Sequence, residues 1–247
     1  NIALGFEAGF TGEEIIRRIS DMGIIHDFIH VDSGLSRINV KICSDNESEI
    51  NGQGPAIEAD HINKLYQRFD KLKNGDILVL AGSIPTVMPD YMYMDIMKYL
   101  KGGNIKIVVD ATKDLLVNVL EYRPFLIKPN NHELGEIFGV ELKTRDEVVE
   151  YAKRLQKMGA VNVLVSMAGE GAVLVAEDGS IFKTPAPKGV VKNSVGAGDS
   201  MVAGFIAGYL NSGNYVEAFK MGVCTGSASA FSDKLATKAE VEALKSC

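Results

Sequence analysis

Short apolar segments alternate with amphipathic segments along most of this sequence. Runs rich in Val, Ile and Leu predict strands, each expected to be buried on both faces, at residues 76–81, 105–109, 125–127 and 162–166. Apolar positions at helical spacing predict helices between them, at residues 59–69, 89–100, 131–138 and 144–158. This alternation is typical of βα units, so the pattern predicts an α/β fold around a mostly parallel sheet.

One early region departs from that pattern. Residues 27–31, 37–43 and 47–50 are short, alternating segments joined by Ser, Gly, Asn and Asp turns, which predicts antiparallel strands. Such a ribbon could form a lid over a site, a dimer surface or an edge hairpin, and the pattern does not choose among them. Because no repeat or Pro-rich linker divides the chain, we expect a single domain over residues 1–247, with lid strands within 27–51.

Charge and cysteine content exclude several classes of protein. The 26 Lys and Arg against 32 Asp and Glu give a net charge of −6, without the basic surplus expected of proteins that bind nucleic acid or anionic membranes. No apolar run approaches the ~20 residues that span a bilayer. Cys43, Cys224 and Cys247 are widely spaced and form no CxxC, which favours neither a disulfide framework nor a zinc site. We therefore expect a cytoplasmic protein without nucleic-acid or membrane partners.

A glycine-rich loop, KNSVGAGDS at residues 192–200, leads into an apolar helix predicted at 201–210. Glycine amides and the positive end of a helix dipole favour an anion such as phosphate. Asp199 would repel that anion, but it suits a general base for a hydroxyl that attacks a phosphoryl group. The alternative is that Asp199 only caps the helix. A Walker A loop and a GxGxxG site are excluded, because the chain has no Gly-Lys dipeptide and residue 201 is Met.

The run VGAGDSMVAGF at 195–205 resembles the C-terminal signature of the ribokinase-like carbohydrate kinases, specifically the phosphofructokinase B group. Further stretches resemble the same family in the same order: AGSIP at 81–85, VVDAT at 108–112, KPNNHE at 128–133 and VSMAGEGA at 165–172. The resemblance implies a three-layer α/β sandwich with a mostly parallel central sheet, a small antiparallel β lid, and the use of ATP and Mg²⁺. Relatives begin with a further strand and a sugar-binding motif, so we expect the N-terminal part of the fold to be absent from the given chain.

The resemblance also implies roles for individual residues. Asp199 would be the general base, and the amides of Gly196, Ala197 and Gly198 would stabilise the transferring phosphoryl group. Asn130 and Glu133 would organise Mg²⁺ indirectly, although turn and capping chemistry is the alternative for both. The implied nucleotide-binding residues are Lys128, Asn130, Ser166, Gly169, Gly171 and Lys192. A hairpin turn at residues 166–171 is the alternative, and the two are compatible, because a hairpin can present its backbone to ATP. Ala168 stands where the family commonly has glycine.

The implied substrate-binding residues are Arg37, Asn39, Lys41, Gly82, Ser83 and Asp199. Strand alternation would place Arg37, Asn39 and Lys41 on one face, where Arg37 suits a sugar phosphate. Exposed charges on an edge strand are the alternative.

Three stretches indicate the branch of the family: SRINVKI at 36–42, EINGQGP at 49–55 and SASAFSDKLATK at 227–238. They most resemble kinases that phosphorylate D-fructose 1-phosphate at O6 to give fructose 1,6-bisphosphate, and we expect that activity. Tagatose-6-phosphate kinases are the nearest alternative, and a nucleotide- or sugar-phosphate-binding protein without turnover is another. A second copy of the chain, bound through the β lid, is one partner that we consider.

Overall fold

The computed structural model describes residues 1–42, 48–82, 84, 88–89 and 91–245. Two compact units are found: unit 1 comprises Asn1–Asp76 and Ile84–Ile105, and unit 2 comprises Ile77–Ser83 and Lys106–Cys247. The single domain expected from the sequence stays a prediction. Within the described residues, no helix has the length and apolar character needed to cross a membrane.

Unit 1 is built from short paired strands and helices. Its elements are β1 (Ile2–Ala3), β2 (Phe6–Glu7), α1 (Gly9–Asp21), β3 (Ile25–His26), β4 (Ile29–His30), β5 (Asn39–Ile42), β6 (Ser48–Asn51), α2 (Ala59–Phe69) and α3 (Met92–Tyr99). The pairs β1–β3 and β2–β4 are parallel. The prediction of an antiparallel strand at 27–31 is therefore wrong, because α1 lies between the paired strands and returns the chain in the same direction.

The predicted hairpin lies in the later part of that region. Strands β5 and β6 pair antiparallel, with Val40 opposite Ile50. Both strands lie within 27–51, and their role as a lid stays a prediction. Cys43 and Glu47, which the prediction included, lie outside the described residues.

Unit 2 contains the larger sheet and the Gly-rich loop. Its elements are β7 (Ile77–Ala81), β8 (Lys106–Asp110), α4 (Lys113–Asn118), β9 (Leu126–Ile127), α5 (Asn131–Phe138), α6 (Arg145–Met158), β10 (Asn162–Ser166), β11 (Ala172–Val175), β12 (Ile181–Thr184), α7 (Ala197–Ser212), α8 (Tyr215–Phe231) and α9 (Lys238–Lys245). The six strands run in the order β12-β11-β10-β9-β8-β7. Strands β7 to β10 are parallel and β10 to β12 antiparallel, which confirms the mostly parallel central sheet.

Side-chain alternation divides this sheet between two helical layers. Val108, Leu126 and Leu164 pack with residues of α7 and α8 in one core. Their strand neighbours point to the opposite face, where α6 contacts β10 and β11. The prediction that all the strands are buried on both faces is wrong for β7, since Val79 is 43% exposed. Strand β7 is the last in the order of the six described strands of this sheet, next to β8.

Helices α7 and α8 pack closely through small residues. A Cβ added at Gly204 of α7 would lie 2.5 Å from Oγ1 of Thr225 and 2.7 Å from the backbone oxygen of Met221. A Cβ at Gly226 of α8 would lie 3.0 Å from the backbone oxygen of Ala197. Side chains at these positions would separate the helices, so the glycines fix where the first turn of α7 lies. The α8 residue Cys224 is buried, and Cys43 and Cys247 lie outside the described residues.

Replacement of Gly204 by Val tests this packing. Because the added side chain meets atoms of α8, we expect Gly204→Val to lower the free energy of unfolding by about 1–3 kcal/mol. Ala203→Val is the matched control, since Ala203 is exposed one residue earlier in the same helix. Urea denaturation of both variants measures the difference. A Gly204→Val protein as stable as the Ala203→Val control would contradict the close packing.

Candidate active site

Polar residues gather where the parallel strands of unit 2 end. Gly82 follows β7, Asp110 ends β8, Lys128 follows β9 and Ser166 ends β10. The amide of Gly82 donates to the backbone oxygen of Asp110 at 3.2 Å, and Asn130 pairs with Ser166 in a parallel bridge. These residues therefore lie along one edge, and open α/β sheets bind ligands at the carboxyl ends of their strands.

The Gly-rich loop leads into the first turn of α7, where backbone N–H groups point away from the helix. Gly196 has the left-handed backbone (φ 78°) at the N-cap of α7, and a Cβ there would lie 2.9 Å from Leu235. The Ala197 amide donates to the backbone oxygen of Ser194 at 3.2 Å. Within the described part of the chain, no acceptor contacts the amides of Gly198 and Asp199. Open amides in a first helical turn form an anion site, so the predicted anion hole is best supported at Gly198.

A buried lysine lies against this first turn. Nζ of Lys128 is 3.0 Å from the position of a Cβ on Gly198 and 3.3 Å from Oδ1 of Asp110. Burial raises the pKa of Asp110 above its usual value; Lys128 opposes this, whereas the carboxylates of Asp199 and Glu133 add to it. Four charged groups of unit 2 thus act on one another at this edge, and exposed Asp199 stands in the first turn of α7.

Asn130 and Glu133 form a capping box at the start of α5. The backbone N–H of Asn130 donates to Oε2 of Glu133 at 2.8 Å, and the backbone N–H of Glu133 donates to Oδ1 of Asn130 at 2.8 Å. The capping alternative therefore holds, but the second carboxylate oxygen of Glu133 takes no part in the box. Within the described residues, no group of three or more His, Cys, Asp and Glu side chains is arranged to hold a metal. These residues fit a hydrated Mg²⁺ held through water rather than a cage of protein ligands.

The loop after β10 is a hairpin turn, which confirms the alternative given for residues 166–171. Strands β10 and β11 pair antiparallel with Ser166 opposite Ala172. Ala168 has φ 45°, so it keeps the left-handed backbone that glycine favours. Gly171 is required by packing, because a Cβ would lie 1.9 Å from the backbone oxygen of Thr184, whereas Gly169 faces open space. A nucleotide role for Ser166, Gly169 and Gly171 stays a prediction.

Lys192 contacts residues at the end of α8 and just after it. Its amide donates to the backbone oxygen of Ala230 at 2.8 Å, and its Nζ lies 3.2 Å from Oδ2 of Asp233. Both side chains are largely exposed, so an ion pair of this kind costs little to open for a ligand.

The predicted substrate-binding residues are divided equally between the units: Arg37, Asn39 and Lys41 belong to unit 1, and Gly82, Ser83 and Asp199 belong to unit 2. Arg37 precedes β5, the strand that begins at Asn39. Arg37 and Asn39 are exposed. The side chain of Lys41, and Ser83 of unit 2, lie outside what the structure describes. No site role was predicted for Asp110, although a polar residue at the carboxyl end of a buried strand was a signal for it.

A cavity lies away from these residues, between β12 and α8. It has a volume of about 980 Å³ and is lined by residues such as Phe182, Lys188, Phe219 and Val223. None of the residues predicted for the site lines it. The strand edge and the start of α7, rather than this cavity, carry the candidate chemistry.

Comparison with known proteins gives the family of the chain. Residues 4–241 match the model of the pfkB family carbohydrate kinases. The chain is 46% identical to 1-phosphofructokinase of Bacillus subtilis over 98% of its own length and 79% of that protein. It is 34% identical to D-tagatose-1-phosphate kinase of Bacillus licheniformis, over 95% of the chain and 77% of the relative.

A crystal structure from Staphylococcus aureus has the same fold. It is 38% identical to this chain, with a TM-score of 0.89, and the match covers 99% of this chain and 79% of that one. Sequence and structure agree with the five ordered motifs, and this protein belongs to the pfkB family of carbohydrate kinases.

Proposed function

We propose that this protein transfers the γ-phosphoryl group of ATP to O6 of D-fructose 1-phosphate and so forms fructose 1,6-bisphosphate. The arrangement at the start of α7 carries the proposal: a carboxylate, open amides and a buried ammonium lie in and beside one helical turn. Membership of a carbohydrate kinase family implies ATP as the donor, with Mg²⁺ usual. The name of the Bacillus subtilis relative supports fructose 1-phosphate as the acceptor.

In the proposed reaction Asp199 accepts the proton of the O6 hydroxyl. The oxygen forms a bond to the γ-phosphorus while the bond from that phosphorus to the β,γ-bridging oxygen breaks, and ADP leaves with the electron pair. Among the backbone amides of Gly196, Ala197 and Gly198, the open amide of Gly198 would stabilise the charge on the transferring group together with the ammonium of Lys128. Phosphoryl transfer depends chiefly on such positioning and electrostatics.

The remaining residues would bind the two substrates. Asn130, Ser166, Gly169, Gly171 and Lys192 would contact the nucleotide, with Asn130 and Glu133 holding Mg²⁺ through water. When bound, the ion would neutralise part of the phosphate charge. Arg37 would bind the phosphate of the sugar in bidentate geometry, supported by Asn39 and Lys41, and Gly82 and Ser83 would contact the sugar.

A panel of acceptors tests the proposed substrate. ADP release should be fastest with fructose 1-phosphate and slower with tagatose 1-phosphate, tagatose 6-phosphate and unphosphorylated fructose. Because Arg37 would bind the sugar's phosphate, Arg37→Met should raise KM for the sugar phosphate about 10- to 100-fold and leave KM for ATP unchanged. Preference for either tagatose phosphate would move the assignment to that sugar. ATP binding without ADP release with any acceptor would favour a binding protein.

Replacement of Asp199 by Asn tests the general base. The change removes a negative charge and the proton acceptor but keeps the size of the side chain. We expect kcat to fall about 100- to 10,000-fold, while the melting temperature and ATP affinity change little. Turnover near the wild-type rate would show that another group accepts the proton.

We also propose that the chain forms a single kinase domain, that the protein is cytoplasmic, and that two copies form a homodimer through the β5–β6 hairpin. The hairpin region exposes Ile38, Val40, Ile42 and Ile50 by 45–61%, a cluster of apolar side chains that a second copy could cover.

Sedimentation velocity tests the dimer. Val40→Asp should shift the protein to monomer, since it places a charge in the proposed interface, whereas Leu210→Asp at an exposed site of α7 should not. A Val40→Asp protein with wild-type sedimentation would exclude this interface.

A further inference from the structure

Asp110 has no part in the reaction proposed above, yet it contacts a residue that does. It ends β8, and Lys128 follows β9, one position beyond the paired residues Val109 and Ile127. Nζ of Lys128 is 3.3 Å from Oδ1 of Asp110, and the side chains are 8% and 17% exposed. Removing one partner of such a buried pair leaves an uncompensated charge.

The ammonium of Lys128 occupies a place that is unfavourable for a cation. Nζ and Cε lie 3.0 and 3.4 Å from the position of a Cβ on Gly198, so the end of the side chain lies against the first turn of α7. A helix N-terminus carries partial positive charge, and burial adds a cost of desolvation. A carboxylate within ion-pair distance offsets both effects, and Asp110 supplies it.

We propose that Asp110 is a positioning residue, whose carboxylate holds the ammonium of Lys128 beside the open amides of Gly198 and Asp199. The inference rests on the proposed phosphoryl transfer. Asp110 acts through Lys128, because a cation placed in advance stabilises the transferring group without reorganisation during the reaction. With Asn at position 110, the ammonium would be free to shift toward the carboxylate of Asp199 and pair with the general base.

A double-mutant cycle tests this inference. The variants are Asp110→Asn, Lys128→Met and the double variant, and kcat and both KM values are measured by coupled ADP release. Asp110→Asn should lower kcat about 10- to 100-fold with KM for the sugar phosphate unchanged, and Lys128→Met should lower kcat further. The double variant should be no slower than Lys128→Met alone, to within about threefold, because the carboxylate acts only through the ammonium. Multiplied effects in the double variant would overturn the inference.

Thermal unfolding of the same proteins shows whether each variant is folded, so that a loss of activity is not mistaken for a loss of structure. If the pair exists, the double variant should melt at a higher temperature than either single variant, because it leaves no unpaired buried charge. Equal additive losses of melting temperature would contradict the pair. Asp146→Asn is the matched control: it removes the exposed ion pair between Asp146 and Lys183 and should change neither kcat nor KM.

The cycle separates this inference from the proposed function. If the wild-type protein turns over none of the acceptors, the function fails, and the coupling can still be measured from the ATP affinity by calorimetry and from thermal unfolding. If the wild-type protein is active and the two substitutions act independently, the function stands and the positioning role of Asp110 is lost.

Discussion

Close contact between α7 and α8 is the constraint on which the candidate site depends. Four glycines, Gly204, Gly208, Gly222 and Gly226, let the backbones approach where side chains would collide. The contact extends to the first turn, because Gly226 lies against Ala197 and the Ser229 hydroxyl donates to the Ser200 hydroxyl at 2.9 Å. The amides that would receive a phosphoryl group are thus held by packing rather than by a mobile loop, as electrostatic catalysis requires.

The charges around this turn explain how one short segment can serve both binding and proton transfer. Open amides and the ammonium of Lys128 attract an anion, while Asp199 and Asp110 supply negative charge beside them. The two carboxylates differ in exposure: Asp110 is largely buried against Lys128, and Asp199 faces solvent, where a substrate hydroxyl can reach it. In the proposed reaction, these different surroundings would give the same chemical group two roles.

Sequence patterns predicted several helices and strands well, because the periodicity of these segments is strong and local. Helices Ala59–Phe69 and Asn131–Phe138 and strand Asn162–Ser166 have the predicted bounds. The direction of strand pairing was harder to predict, because it depends on what lies between the strands. Helix α1 was not predicted, and this helix returns the chain so that β4 pairs parallel with β2. Asp110 lies in the VVDAT stretch found by resemblance, but no role was predicted for it, because its contact with Lys128 depends on the register of two strands that are apart in the sequence.

A crystal structure with a non-transferable ATP analogue and fructose 1-phosphate would test the central claim most directly. The account predicts the terminal phosphate within hydrogen-bond distance of the Gly198 amide and Nζ of Lys128, with the Asp199 carboxylate beside the O6 hydroxyl. A terminal phosphate bound away from the start of α7, for example in the cavity between β12 and α8, would contradict it.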